Sequence, residues 1–258
     1  PHIATFYQFA RAIDDIADNP ELEPEDKVTR LDGFAAALEG GRDVGGAFEI
    51  GLRMRASLEE TDIPNRHCLD LIDAFKQDAV KNRYDDWPDL MEYCSRSASP
   101  VGRYLIDLHG GSDNGYGPSD ALCNALQVIN HLQDCKDDFL TLNRVYLPGD
   151  WMGEEGMGVV ELAGEQSSPQ VLQVLNRTLS ATEDLMGEAR SLPVGVRCWR
   201  LAMESAAILN IAERLIARLR IEDPLATRVA LTKPGYAWQC IRGVIPVALG
   251  VLLQRRPI

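Results

Sequence analysis

Two acidic clusters in this chain have the spacing and the setting to hold divalent cations. In the first, Arg11, Asp14, Asp15 and Asp18 follow an apolar run that contains Phe6, Phe9 and Ile13. Asp14 and Asp18 are four residues apart, so on a helix their carboxylates stand side by side, about 40° around the axis, with Arg11 on the same face. Like charges at this spacing oppose a helix by roughly 0.2–0.5 kcal/mol. These carboxylates also lie at the helix C-terminal end, against the dipole. A divalent cation would offset both effects. In the second cluster Gln127, Asn130, Asp134 and Asp138 step by three, four and four into one polar stripe, and Leu126, Ile129 and Leu132 lie away from it. Carboxylate and amide oxygens with no His or Cys in register are hard ligands suited to magnesium. Either cluster alone reads more readily as a solvated helix face; two of them embedded in otherwise apolar helices argue for a function. Asp15 and Asp137 fall off the main stripes, Lys136 points elsewhere, and His131 reads as a packing residue.

The elements that position these residues read as helices almost throughout, because apolar residues recur at intervals of three and four. The periodicity predicts helices near 2–18, 24–39, 44–61, 65–80, 88–109, 118–140, 169–190, 195–220 and 235–253. Breaks fall at Asn19-Pro20, Gly40-Gly41, Ile63-Pro64, between Gly110 and Pro118, and at Leu192-Pro193, where turn chemistry demands them. The stretch from Leu147 to Ser168 has five glycines and little period, which predicts a loop or flap. No stretch reads as a domain linker, so the expectation is an all-α fold in a single domain over residues 1–258. The first residue is a proline in mid-helical pattern, which implies that the natural chain continues upstream.

Composition bounds the function. The net charge of −13, from 26 basic and 39 acidic residues, excludes a nucleic-acid binder, whose basic side chains must replace counterions along phosphates. It suits an anionic substrate only where divalent metal inverts the local field. None of the six cysteines forms a C-x-x-C pair, so a zinc site is not expected and the thiols read as reduced and mostly buried, in a cytoplasmic protein. The most apolar stretch, Val244 to Leu253, contains Pro246 and falls short of the ~20 residues of a spanning helix. It reads as a core helix. With basic Arg242, Arg255 and Arg256 at its flanks, the alternative is peripheral contact at the inner membrane face.

The motifs Arg11-x-x-Asp14-Asp15-x-x-Asp18 and Asn130-x-x-x-Asp134-x-x-x-Asp138, the latter followed by Arg144-Val145-Tyr146-Leu147-Pro148, resemble the paired signatures of the squalene/phytoene synthase family. Between them, Tyr93-Cys94 followed by Ala98 and Val101-Gly102 resembles that family's tyrosine-cysteine helix. The phrases from Pro1 to Tyr7 and from Asn130 to Cys135 are most similar to the family's bacterial hydroxysqualene synthases of hopanoid biosynthesis.

The resemblance implies an isoprenoid-synthase-type helical bundle around a central cavity, with the acidic helices facing each other. It makes Asp14, Asp18, Asn130, Asp134 and Asp138 the holders of Mg2+ bridged to a diphosphate. Arg11 and Arg144 become diphosphate ligands, with Arg228 or Lys233 as a further cation, and Tyr7, Tyr93 and Gln127 line the reaction chamber. Phe6, Phe9, Tyr93 and Tyr104 are candidates for apolar walls around a carbocation. The expected activity is magnesium-dependent conversion of presqualene diphosphate and water to hydroxysqualene and diphosphate. A head-to-head prenyltransferase acting on farnesyl or geranylgeranyl diphosphate is the nearest rival, although Gln133 stands where many relatives of that type have arginine. A non-catalytic isoprenoid-binding relative is a second rival. A di-iron bundle is disfavoured because no Glu-x-x-His pair accompanies the acidic helices.

Overall fold

In the computed structural model, which describes residues 1–41, 46–111 and 113–254, the chain is built from helices in the expected order. The N-terminal part comprises α1 (His2–Ala17), α2 (Pro24–Glu39), α3 (Glu49–Thr61) and α4 (Arg66–Asp78). The middle comprises α5 (Trp87–Ser97), α6 (Ser99–Leu108) and the long α7 (Tyr116–Leu142). After α8 (Gly149–Glu154) come α9 (Pro169–Ala189), α10 (Leu192–Gly195), α11 (Trp199–Leu219) and α12 (Lys233–Gln254). Strands β1 (Arg83–Tyr84) and β2 (Val145–Pro148) form one short parallel pair. The fold is all-α apart from that pair.

Three expectations about elements need correction. The helix expected over 88–109 is two helices parted at Ala98, because Pro100 has no amide to donate and its ring would clash with the carbonyl four residues back. The glycine-rich stretch after Leu147 is not a bare loop: it holds α8 and a 3-10 turn at Val159–Ala163. The helix expected from 195 is interrupted between α10 and α11. The expected helix start at 44 lies outside the described residues, as do Arg255 and Arg256.

Apolar side chains gather into two clusters. One joins Phe6, Phe9 and Ile13 of α1 to Leu31 and Phe34 of α2, Met54 and Leu58 of α3, Leu71 and Ile72 of α4, and Tyr104 of α6. The other surrounds α7, which packs against α5, α6, α9 and α11. The approach of α6 to α7 is close enough that a Cβ at Gly102 would overlap the Ser119 hydroxyl and the Cys123 sulfur. Phe6 stacks on Tyr104 with centroids 4.0 Å apart, and Phe9 meets Phe34 edge-on at 6.1 Å. Phe6, Phe9 and Tyr104 therefore anchor α1 in packed core and do not line a chamber, contrary to the expectation for them. The anchoring sets where the acidic end of α1 lies.

The other acidic helix ends at a defined turn. Asn143 takes the left-handed conformation (φ 53°), which Asn tolerates better than most residues. The Arg144 amide then donates back to the Asp138 carbonyl at 3.1 Å. Arg83 fixes the turn by donating to the Asn143 carbonyl and, at 2.7 Å, to its side-chain Oδ1. The parallel pair then ties the segment after α7 to the segment after α4. The ends of α1, α4 and α7 are thus drawn into one region.

Candidate active site

Arg144 stands where those three helix ends meet. It is 6% exposed; its Nη1 donates to Asp18 Oδ1 at 2.6 Å, and its Nη2 donates to the carbonyls of Ala17 and Asp78, each at 3.1 Å. Lys27 adds a further donor to the Ala17 carbonyl at 2.9 Å. Two cationic groups thus neutralise the C-terminal end of α1, where the dipole is negative.

Around this centre the carboxylates outnumber what the cations can satisfy. Asp14 titrates at about 6, raised first by burial and then by Asp18, against the lowering pull of Arg11 and Arg144. Asp138 is pushed up to about 7 by burial and by Asp134, with Asp18 of the facing helix adding to the effect. That influence of Asp18 on Asp138 places the two acidic clusters within electrostatic reach of each other. Arg11 bridges Asp14 at 2.8 Å and Asp15 at 2.9 Å. Arg228 makes a two-pronged contact with Asp134 at 2.5 and 2.9 Å. Asn130 is exposed, and Gln127 is half-buried on the same face of α7. Lys233 sits exposed at the start of α12, so of the two candidates for a further cation, Arg228 is the one beside the acids.

Off-stripe residues lie as expected. His131 is buried and stacks on Tyr146 with centroids 3.5 Å apart; burial drives its pKa down to about 3, so it is neutral. Lys136 donates to the carbonyls of Gly164 at 2.8 Å and Leu225 at 3.0 Å. The six cysteines are free thiols. Tyr7 is 68% exposed, one turn before Arg11, and joins neither core cluster.

Three features were not found by pattern reading. Asp78, the last residue of α4, is 4% exposed; it accepts from the Tyr93 hydroxyl at 2.8 Å, and its other oxygen has no partner. Burial raises it to about 7, with Asp18 and Asp14 adding to the shift and Arg144 and Tyr93 opposing it. Its only sequence signal was a carboxylate at a helix C-terminal end, the unfavourable end. Tyr84 and Tyr146 complete an aromatic cluster around Tyr93, with centroids 5.2 and 5.8 Å away. Gln133 donates its amide to the Val229 carbonyl and so holds the segment that carries Arg228.

The fit to magnesium rests on the donor set. Asp14 and Asp138 are half-buried carboxylates with raised pKa values, the condition that a nearby divalent charge reverses. Among the described residues no three His, Cys, Asp or Glu side chains converge into a ready-made metal site. Magnesium held through one or two carboxylates plus phosphate oxygens does not need such convergence. The residues therefore fit ions that are bound together with a diphosphate.

An apolar cavity of about 140 Å³ lies between α6, α7 and α11, lined by Leu105, Leu122, Leu126, Leu201 and Ile208. It begins one turn along α7 from Asn130. It is smaller than the roughly 300–1,000 Å³ usual for a small-molecule site. A larger cleft of about 450 Å³, beside α10, contains none of the predicted residues.

The sequence profile of the squalene/phytoene synthase family matches residues 1–234. The chain belongs to the squalene/phytoene synthase family. Among its squalene/phytoene synthase relatives, the hydroxysqualene synthase of Sinorhizobium fredii is 41% identical over 230 residues, covering 89% of this chain and 78% of that one. The hydroxysqualene synthase of Rhodopseudomonas palustris is 42% identical over 229 residues, 89% of this chain and 77% of the other. The crystal structure of a squalene synthase from Alicyclobacillus acidocaldarius superposes with a TM-score of 0.73 at 29% identity, over 85% of this chain and 82% of that one. A dehydrosqualene synthase, at 18% identity and a TM-score of 0.71 over 97% of this chain and 86% of the other, shares the fold.

Proposed function

We propose that this protein is a hydroxysqualene synthase, converting presqualene diphosphate and water to hydroxysqualene and diphosphate with Mg2+. The observation that carries the reading is the meeting of two acidic helix ends, from α1 and α7, around the buried Arg144, in a chain about two-fifths identical to hydroxysqualene synthases.

Asp14 and Asp18 on one side, and Asn130, Asp134 and Asp138 on the other, would hold magnesium. The ions supply charge stabilisation as the carbon-oxygen bond to the diphosphate breaks. Arg11 and Arg228 each exchange a carboxylate partner for phosphate oxygens, which guanidinium forks match in shape. Arg144 keeps Asp18 oriented and adds positive charge from below. The leaving diphosphate takes the bonding electron pair, and the allylic or cyclopropylcarbinyl cation left behind faces Gln127 and Tyr7, while Tyr93, 2% exposed in the core, acts from behind through Asp78. Water adds to the rearranged cation and must lose a proton. In this reading the Tyr93 hydroxyl takes that proton and passes its own to Asp78, whose pKa is about 7. Peripheral contact with a membrane belongs to the same reading, since substrate and product are long hydrocarbons.

The purified protein should turn presqualene diphosphate over to an alcohol of hydroxysqualene mass in magnesium, without nicotinamide, and incorporate oxygen-18 from labelled water. An unoxygenated product, or turnover unaffected by excess chelator, would overturn the reading. A second reading, head-to-head joining of two prenyl diphosphates, is favoured by Arg228, which brings to Asp134 a cation that the neutral Gln133 does not supply. Efficient formation of presqualene diphosphate from farnesyl diphosphate would select it.

A further inference from the structure

The narrow cavity between α6, α7 and α11 does not end inside the bundle. Ile106, Leu192 and Leu201 line it and also line the cleft of about 450 Å³ beside α10, so the two spaces share a wall of three side chains. All three are apolar and buried. On the cleft side Val194, 91% exposed, stands at the rim, with Val196 and Cys198 beside it. None of the described residues lining the cleft is acidic, so it does not repeat the metal-holding end.

Position along α7 gives the two spaces a direction. Cys123 and Ser119, which line the cavity, precede Asn130 by seven and eleven residues, which places them within about 20° of it around the helix. Pro118, which lines the cleft, is twelve residues from Asn130, roughly 18 Å along the axis. The side of α7 that carries Asn130 therefore turns small and uncharged toward its N-terminal end and finishes at the cleft. Alone, the cavity of about 140 Å³ cannot take a long hydrocarbon. Joined to the cleft it falls within the roughly 300–1,000 Å³ of ligand sites. The wall between them is lightly built. Leu192 is carried by α10, a single turn held by amide bonds from Gly195 to Ser191 at 3.1 Å and from Val196 to Leu192 at 3.2 Å. So short an element, with few backbone bonds, opens at low cost.

We propose that the cleft beside α10 is a second mouth of the hydrocarbon site, and that it receives the end of the chain remote from the diphosphate when Leu192 swings aside. The inference rests on the reading of the acidic site as the diphosphate end. The head is then held at one end of α7, and the tail passes between Ile106, Leu192 and Leu201 to emerge at the other.

The test uses the free thiol of Cys198, half-buried in the cleft, as a reporter in the full chain. Its alkylation by N-ethylmaleimide is followed by peptide mass in magnesium with dimethylallyl, farnesyl or geranylgeranyl thiodiphosphate, which bind without ionising. Calorimetry measures the binding of each. Geranylgeranyl thiodiphosphate should slow alkylation at least tenfold, farnesyl less, and dimethylallyl, with the same head and a short tail, not at all. Cys240, on α12 and outside both spaces, should keep its rate throughout. A Cβ at Gly195 meets nothing within 4 Å, so Gly195→Trp adds an indole to the cleft without a clash at its base. That variant should weaken geranylgeranyl thiodiphosphate at least tenfold and leave the dimethylallyl affinity in place, whereas Gly195→Ala changes neither. Bound geranylgeranyl thiodiphosphate that leaves Cys198 unprotected, equal protection by the short ligand, or long-chain affinity indifferent to Gly195→Trp overturns the second mouth while the acidic site stands. Failure of all three ligands to bind in magnesium overturns both.

Discussion

The Tyr93 hydroxyl donates to one oxygen of Asp78 at 2.8 Å, and the other oxygen of that buried carboxylate is left without a partner. Such a group is held in reserve: its charged form is under-solvated, and its protonated form has a hydrogen to offer. The pair gives the site a proton acceptor near neutrality without a histidine.

The first prediction concerns pH. Asp78 titrates at about 7 in the folded protein against the ordinary aspartate value of 3.8, so the native state holds its proton more tightly than the unfolded state does. Stability is then unaffected below about pH 4, falls as pH rises from about 4 to 7, and is flat above that window. The full effect is roughly 4 kcal/mol at about 1.4 kcal/mol per pH unit. Asp78→Asn should therefore gain on the wild type in urea unfolding at pH 8 and gain little at pH 4. A difference between the two proteins that does not vary with pH would refute the assignment.

Asp14→Asn and Asp134→Asn should each lower kcat by at least about a hundredfold, the scale of losing an electrostatic stabiliser of a developing charge. Asp14→Asn should also make the metal-free protein no less stable, because its carboxylate is held above its usual range by burial and Asp18. Product yield in magnesium together with thermal unfolding in chelator measures both. Near-normal turnover by either variant removes the metal from this site.

Arg11 separates binding from stability. Its side chain is 60% exposed, and its ion pairs with Asp14 and Asp15 contribute at most about 0.5 kcal/mol to folding. Arg11→Lys should leave the melting curve in place yet cut kcat/KM by about tenfold or more, because the bidentate fork is lost. Equal kinetics would reduce Arg11 to an intrahelical pair.

Gln133→Ala should loosen the segment that delivers Arg228. The amide of Gln133 grips the Val229 carbonyl next to that arginine. Amide exchange over residues 225–230 should accelerate, and the apparent affinity for diphosphate should drop, approaching that of Arg228→Ala. If Gln133 acted only through its neutrality, exchange would stay as in the wild type.

Much of this arrangement was legible because periodicity and ligand chemistry are local. The helix pattern, the stripe from Gln127 to Asp138 and the pairing of Arg11 with its neighbours all follow from intervals of three and four. That His131 packs and that Lys136 points away from the stripe followed from the same geometry, by exclusion, whereas the carbonyls that Lys136 tethers are visible only in the structure. Asp78 escaped because its significance is a matter of distance in space: it is one carboxylate among several on α4 until β1 and β2 draw its helix end beside Arg144. Phe6, Phe9 and Tyr104 were misjudged for the converse reason. An aromatic residue near an acidic motif looks alike whether it faces a cavity or a core, and burial decides. Gln133 was read by its charge, and the structure gives it a hydrogen bond to make.

The turn at Asn143 has a mechanical consequence. Asp138 and Arg144 are joined by a backbone hydrogen bond across the end of α7, and the left-handed residue between them leaves little freedom. Any tilt or slide of that helix carries an acid and its nearest buried cation together, so such motion leaves their separation unchanged. Among the described residues, the side-chain ion pair that spans the seam between α7 and α1 is Arg144 with Asp18. The α7 side is the anvil, and α1 is the part that substrate charge can draw in or let go.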